Sequence, residues 1–544
     1  MVLLTFFLVA CEKDEPTETI PPGKLSLRSP AAGAFIEDGD TTASGLATAL
    51  NDVQVNGVEA EVDGGKFTAE VPLERGVNVV EATGVDGTGH KLFERNGVLA
   101  GNYTQAEGPV EDALSLRVNQ SGLDRIGEIA VGAFDVQTIN DMLPALNPIY
   151  TYDTGLATWI SADVQSITFD NPSLDFEPRD GALGLTVTIP NLYVDLYAYG
   201  EVVYIDYDSD ASMWASSAVL TADLYVDASN GKLAIDMGTV TVDLKDFGYD
   251  TSLIPGDFES YLFVDTIRGK IEEMLATQIT DTVPPLLDEM LNGLDPSYST
   301  ELMGLPVDMS FSFASADVDD RGLALTLDLA VDVPQSGKHS APGYFTAPLG
   351  TPDVDEHADL AGAVSDNLLN RMLYEAWQGG LLDMTLSTDD GSLTPLMLAP
   401  LKATEGTIKV NAKLPPVVVE RDGQLQAQLG ELMVDIETPG GALGDHLLAS
   451  VNAFVDLTVT VKGGELTLEL GTPELVLMVR ESSMGADDEE MTNLVEQVLP
   501  LDLLFALLGD FSFPLPALYG IELDEGSATR DASGVYTGLE ISLK

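Results

Sequence analysis

The chain has 544 residues, too many for one hydrophobic core and enough for about three or four domains. It is 45% hydrophobic with 51 Gly and 29 Pro, the composition of folded, turn-rich structure and not of disorder. Its 89 acidic against 25 basic residues give a formal charge of -64, which repels phosphate backbones and sets nucleic acid aside as a partner.

The simplest role of such acidity is solubility, with salt screening the self-repulsion. The sole cysteine, Cys11, ends an apolar run from Met1 and follows Leu8-Val9-Ala10. That tetrad resembles a bacterial lipobox, although no Lys or Arg precedes it. Residues 1–11 are therefore expected to be a lipoprotein signal, and Cys11 the lipid anchor that ties the protein to a membrane surface without spanning it. Glu12 after the cysteine points to the outer membrane of a bacterial cell envelope, by analogy with enterobacterial sorting. No later apolar run has transmembrane length. A single cysteine also excludes an internal disulfide.

Residues 12–24 are polar and proline-containing and read as a linker. Residues 25–103 change to short alternating strands with closely spaced turns, the pattern of an all-β sandwich. Asn56-Gly57 is a hairpin turn because both residues accept positive φ. This stretch resembles the bacterial Ig-like modules that serve as spacers in surface proteins.

A helical pattern follows at 124–146, with Ile126, Phe134 and Met142 on its apolar stripe and Pro144 and Pro148 near its end. Alternating strands are expected at 158–169, 183–207, 213–226 and 233–244; in the second of these Leu183, Leu185, Val187 and Ile189 demand one buried face. The longest amphipathic pattern runs from 261 to 294 and carries Ile267, Ile271, Met274 and Leu275. Pro284 and Pro285 predict a break there, because proline lacks the N–H that continues a helix. Another strand is expected at 307–333. Residues 334–356, rich in Pro, Gly and Ser, read as a linker. The order then recurs: a helix over 360–379 with Leu369, Met372 and Leu373, a strand meander, a second helix over 490–508 with Leu494, Val498 and Leu504, and closing strands. A period near two hundred residues indicates two related domains.

Site chemistry is sparse. His90, His339, His357 and His446 are scattered, none at metal-ligand spacing from another His or from Cys11. No nucleophile elbow, P-loop or dinucleotide fingerprint occurs. Asp206, Asp208 and Asp210 open like a calcium loop, but Ala211 replaces the glycine and Ser217 the bidentate glutamate. We expect no enzyme activity, no catalytic residue, no cofactor and no metal.

Two segments carry a family resemblance. Leu373-Tyr374-Glu375-Ala376-Trp377-Gln378-Gly379-Gly380-Leu381-Leu382-Asp383-Met384-Thr385-Leu386 is similar to the segment that opens the second barrel of the family of bactericidal/permeability-increasing protein, lipopolysaccharide-binding protein and cholesteryl ester transfer protein. The ending from Phe511-Ser512-Phe513-Pro514-Leu515-Pro516 resembles that family's carboxyl end, and the likeness covers roughly 114–544. It implies an α+β protein with two tandem tubular lipid-binding (TULIP-type) barrels, each a highly twisted antiparallel sheet around long helices. The barrels would occupy 110–333 and 357–544, behind the Ig-like sandwich. Phospholipid or a similar lipid would be the partner, held without covalent chemistry by Ile126, Phe134, Met142, Ile267, Ile271, Met274 and Leu275 in the first barrel and by Leu369, Met372, Leu373, Leu494, Val498 and Leu504 in the second. The animal members' disulfide cannot form here. Their basic, endotoxin-binding tip also has no counterpart in so acidic a chain. The alternative is a structural or adhesive surface lipoprotein whose barrels are packed solid.

Overall fold

The computed structural model describes residues 23–544, apart from 38, 135, 154, 156–157, 251–259, 293–296, 303–304, 335–336, 338, 351, 353–357, 463–464, 485–493, 496–511, 515–522, 532–533 and 544. Cys11, His357, Val498, Leu504 and most of the helix expected over 490–508 lie outside the described residues.

The N-terminal unit has two sheets. Lys24–Ser29, Thr41–Thr48, Lys66–Val71 and Glu61–Asp63 form one; Ala34–Ile36, Lys91–Ala100, Gly76–Asp86, Leu50–Val55 and Val58–Glu59 form the other. Strict alternation turns Phe67, Ala69 and Val71 inward, where they meet Val53, Val55, Val80, Ala82 and Val98 of the second sheet in one shared core. Asn56 and Gly57 make the expected two-residue turn, with φ of 46° and 77°.

This unit is fastened to the second half of the chain. Val77 N–H donates to Gln428 Oε1 at 2.7 Å, and Gly97 N–H to Glu431 Oε1 at 2.6 Å. Apolar Val77 and Leu99 pack on Phe345, Leu414, Val417 and Val419. Directly after the unit, Asn102–Thr104 pairs antiparallel with Tyr344–Thr346, inside the segment that reads as a linker. A spacer would have needed none of these contacts.

The body of the molecule is two curled antiparallel sheets with few helices. Val110–Asn119 lies between Gly322–Asp332 and Leu360–Ser365, so that one sheet, fifteen strands among the described residues, runs through both halves. The two strands at this junction each lead into a helix: Val110–Asn119 into α1 (Gln120–Ala130) and Leu360–Ser365 into α4 (Asp366–Gln378). The sequence pattern starts that second helix at 360. Its first six residues are instead strand, because every one of them is buried and Leu360 to Ser365 pair with Tyr536 to Ile541.

The first half has a sheet of eight strands among the described residues, dominated by the hairpin of Ala182–Val202 and Ile205–Ser229. Leu183, Leu185, Val187 and Ile189 do point inward, and at Asn191, with φ of 52°, the inward set moves to Leu192, Val194, Leu196 and Ala198. Phe313 N–H donates to Gly231 O and Gly181 N–H to Val318 O, which closes this sheet onto the shared one. α1, α2 (Val136–Leu146) and α3 (Ser260–Asn292) line it.

One proline expectation fails: α3 continues unbroken through Pro284 and Pro285, whereas α2 ends at Leu146 with Pro144 in its last turn, where the pattern ends. In α3 the buried stripe of Ile279, Val283, Leu287, Met290 and Leu291 is seated on both sides of the prolines. Burial of five large side chains, each contributing about 1.5–3 kcal/mol, outweighs the roughly 3 kcal/mol that an interior proline costs.

Candidate functional site

The expected lipid contacts face the interior where they are described. Ile126 of α1 and Phe134, between α1 and α2, are buried, as are Ile267, Ile271, Met274 and Leu275 of α3. Met142 is half-buried, on the turn of α2 that also buries Ile139 and Leu143. Ile267, Ile271, Met274 and Leu275 fall on one face because they are three or four residues apart, while Asp265, Lys270 and Glu273 keep the opposite face in solvent. In the second half Leu369, Met372 and Leu373 are buried, and Leu494 is partly buried against the same core. All of these except Met142 belong to one continuous apolar cluster that passes through both halves.

α4 differs from an amphipathic lining helix, since all thirteen of its residues are buried. Its polar side chains have dedicated partners. Asp366 takes a bidentate pair from Arg530 at 2.8 and 2.9 Å; Asn370 donates to Val418 O and accepts from Val418 N–H; the Trp377 indole donates to Ala412 O at 2.8 Å. Arg371 pairs with Glu375 at 2.9 Å, and Ser365 caps the helix by accepting from Leu368 N–H. Burial pushes the Asp366 carboxyl up, and the Arg530 guanidinium opposes that shift. Charges this deep are tolerated only when paired, so α4 is held rigidly where strands of both halves and of the intervening segment converge on it. Nothing in the periodicity announces this. The apolar positions are legible, but the partners of Asp366 and Asn370 are made by distant chain.

A small cavity lies beside α4 in the second half, lined by Leu373, Pro416, Val418, Leu429, Val455 and Leu468 among others. Its volume is about 20 Å³, room for about one water, and its apolar lining disfavours one. An acyl chain would have to enter by repacking Leu373 and the strands opposite. Asp206, Asp208 and Asp210 lie on the extended strand Ile205–Ser229, pointing outward, and not in a loop. Among the described residues no group of three His, Cys, Asp or Glu side chains is placed to hold a metal, and no helix is long and apolar enough to cross a membrane.

No protein-family model and no curated protein matches this chain. Among solved structures it is similar to lipopolysaccharide binding protein, at 15% identity and a TM-score of 0.46, covering 80% of this chain and 99% of that one. It is also similar to P47 of Clostridium botulinum E1, at 10% identity and a TM-score of 0.29, covering 80% of this chain and 100% of that one.

Proposed function

We propose that this protein binds lipid, holding acyl chains among the apolar residues enclosed by its two curled sheets, and that it does so tethered to a membrane through Cys11. The observation that carries the reading is the unbroken apolar cluster through both halves, lined by α3 and α4 and containing a cavity whose wall is almost wholly aliphatic. Each methylene transferred there contributes about 0.8 kcal/mol, so a chain of ordinary length would be retained without a bond being made. Ile126, Phe134, Met142, Ile267, Ile271, Met274 and Leu275 would contact lipid in one half, and Leu369, Met372, Leu373, Leu494, Val498 and Leu504 in the other. The N-terminal unit would be an Ig-like module. Docked as it is on the second half, it would fix the distance between anchor and barrels.

A soluble form without residues 1–24, extracted with organic solvent and analysed by mass spectrometry, should release lipid and afterwards take up a fluorescent phospholipid. Reproducible absence of both would overturn the reading. The second reading, a structural or adhesive surface lipoprotein with solid barrels, is favoured by the small size of the cavity, about 20 Å³. The same experiment separates the two.

A further inference from the structure

The hairpin of Ala182–Val202 and Ile205–Ser229 ends in a two-residue turn, with Val202 paired to Ile205 and Val203-Tyr204 at the tip. Both tip residues have positive φ, 51° and 66°. Asn-Gly suits such a turn; a β-branched valine there is strained, and both side chains are left in water. Val203, Tyr204 and Ile205 are 68%, 82% and 71% exposed. Three adjacent large apolar residues displayed at a strained tip contribute nothing to the core, and strain of this kind is a pointer to use.

Behind the tip, on the outer face of the sheet, Trp159, Tyr197 and Tyr199 form an aromatic platform. Tyr197 and Tyr199 stack at 5.9 Å, and Trp159 meets Tyr199 edge-on at 6.1 Å. Strand register places carboxylates among them: Asp163 and Asp210 opposite Tyr197, Asp208 opposite Tyr199, and Glu201 beside Trp159 and Asp206. The sequence has no Lys or Arg between Arg125 and Arg179, or between Arg179 and Lys232. Among the described residues none of Glu201, Asp206, Asp208 and Asp210 enters an ion pair.

We propose that this tip is a docking surface for a bilayer whose headgroups present ammonium groups, a zwitterionic phosphatidylcholine-type surface. Val203, Tyr204 and Ile205 enter the interfacial layer, and the aromatic platform with its carboxylates receives the ammonium groups. Aromatic faces attract alkylammonium ions through their quadrupole, tyrosine and tryptophan partition to the headgroup level, and carboxylates add the complementary charge. The same charge rejects an anionic bilayer. Docking in this way does not depend on the barrels carrying lipid, so extraction of lipid from the interior and docking of the tip can fail separately.

The test uses the full chain carrying Cys11→Ser, so that no acyl anchor holds it to the vesicle, and Trp214→Phe, which leaves Trp159 as the exposed tryptophan while Trp377 stays buried at 1% exposure. Titration with phosphatidylcholine vesicles should shift Trp159 emission to the blue, and lipids brominated near the headgroup should quench it. Phosphatidylglycerol vesicles should do neither. Val203→Asp with Ile205→Asp, a pair whose exposure and positive φ at 203 leave folding unaffected, should weaken vesicle affinity at least tenfold. Asp208→Asn with Asp210→Asn should narrow the preference for phosphatidylcholine over phosphatidylglycerol. Absence of the shift in the Trp214→Phe protein overturns the proposal, as does quenching that survives the tip substitutions or is equal on both vesicle types.

Discussion

Glu431 has no exposed surface and a φ of 49°, in a two-residue bulge where the register of Gln424–Glu437 slips between Leu429 and Leu432. The bulge turns its carboxylate outward from the second half to accept from Gly97 N–H at 2.6 Å and from Arg480 at 2.9 Å, while Arg480 also donates to Asn96 Oδ1 at 3.0 Å. Gly97 is obligatory here, because a Cβ would come within 2.1 Å of Asn452 Oδ1. Arg480→Met should strand the buried carboxylate and cost about 3–5 kcal/mol in urea unfolding, and Glu431→Met added to it should recover most of that loss. At Asp319 charge and hydrogen bonding prevail over burial. Burial raises its pKa, but the hydrogen bonds and charge of Arg117, with the backbone N–H of Arg321, outweigh that and hold it well below the ordinary carboxylate value. A depressed folded-state pKa stabilises fully above the unfolded value of about 3.9 and fades as the pH falls below it. The stability difference between the protein and Asp319→Asn should therefore be constant above about pH 5 and close on further acidification, as read from denaturant melts across pH.

Among the elements, α3 shows packing overriding propensity. Pro285 is exposed, so its ring takes no part in the buried stripe of Val283, Leu287 and Met290. Pro285→Ala restores an N–H to the helix and should stabilise the protein by roughly 1–3 kcal/mol, seen as a higher Tm. Ile271→Ala, at 1% exposure on the buried face, should cost about 2–5 kcal/mol in the same assay. The amphipathic period made α3 and its buried face readable from sequence. The long hairpin was harder: the strand expected over 183–207 ran through Val203-Tyr204, because a valine-tyrosine turn carries no turn signature. Asn56-Gly57, with the same backbone geometry, was legible because its residues favour positive φ unaided.

At the scale of the molecule, the N-terminal unit, the segment around Tyr344–Thr346 and the second half share hydrogen bonds and an apolar interface through Phe345, Leu414 and Val419. They should melt together: calorimetry on the full chain is expected to show no separate low-temperature transition for the N-terminal unit, and such a transition would refute the shared interface. The sequence by itself determined what depends on local pattern and composition: charge, the alternating strands, the amphipathic face of α3 and the residues that must face inward. Tertiary structure alone decided what depends on chain distant in sequence. That includes the burial of α4 on every side, the docking of the N-terminal unit by Glu431 and Arg480, and the narrowness of the cavity beside Leu373. Periodicity states that a face is buried and is silent on what covers it, since the covering residues are chosen by packing across more than three hundred positions, as between Gly97 and Glu431.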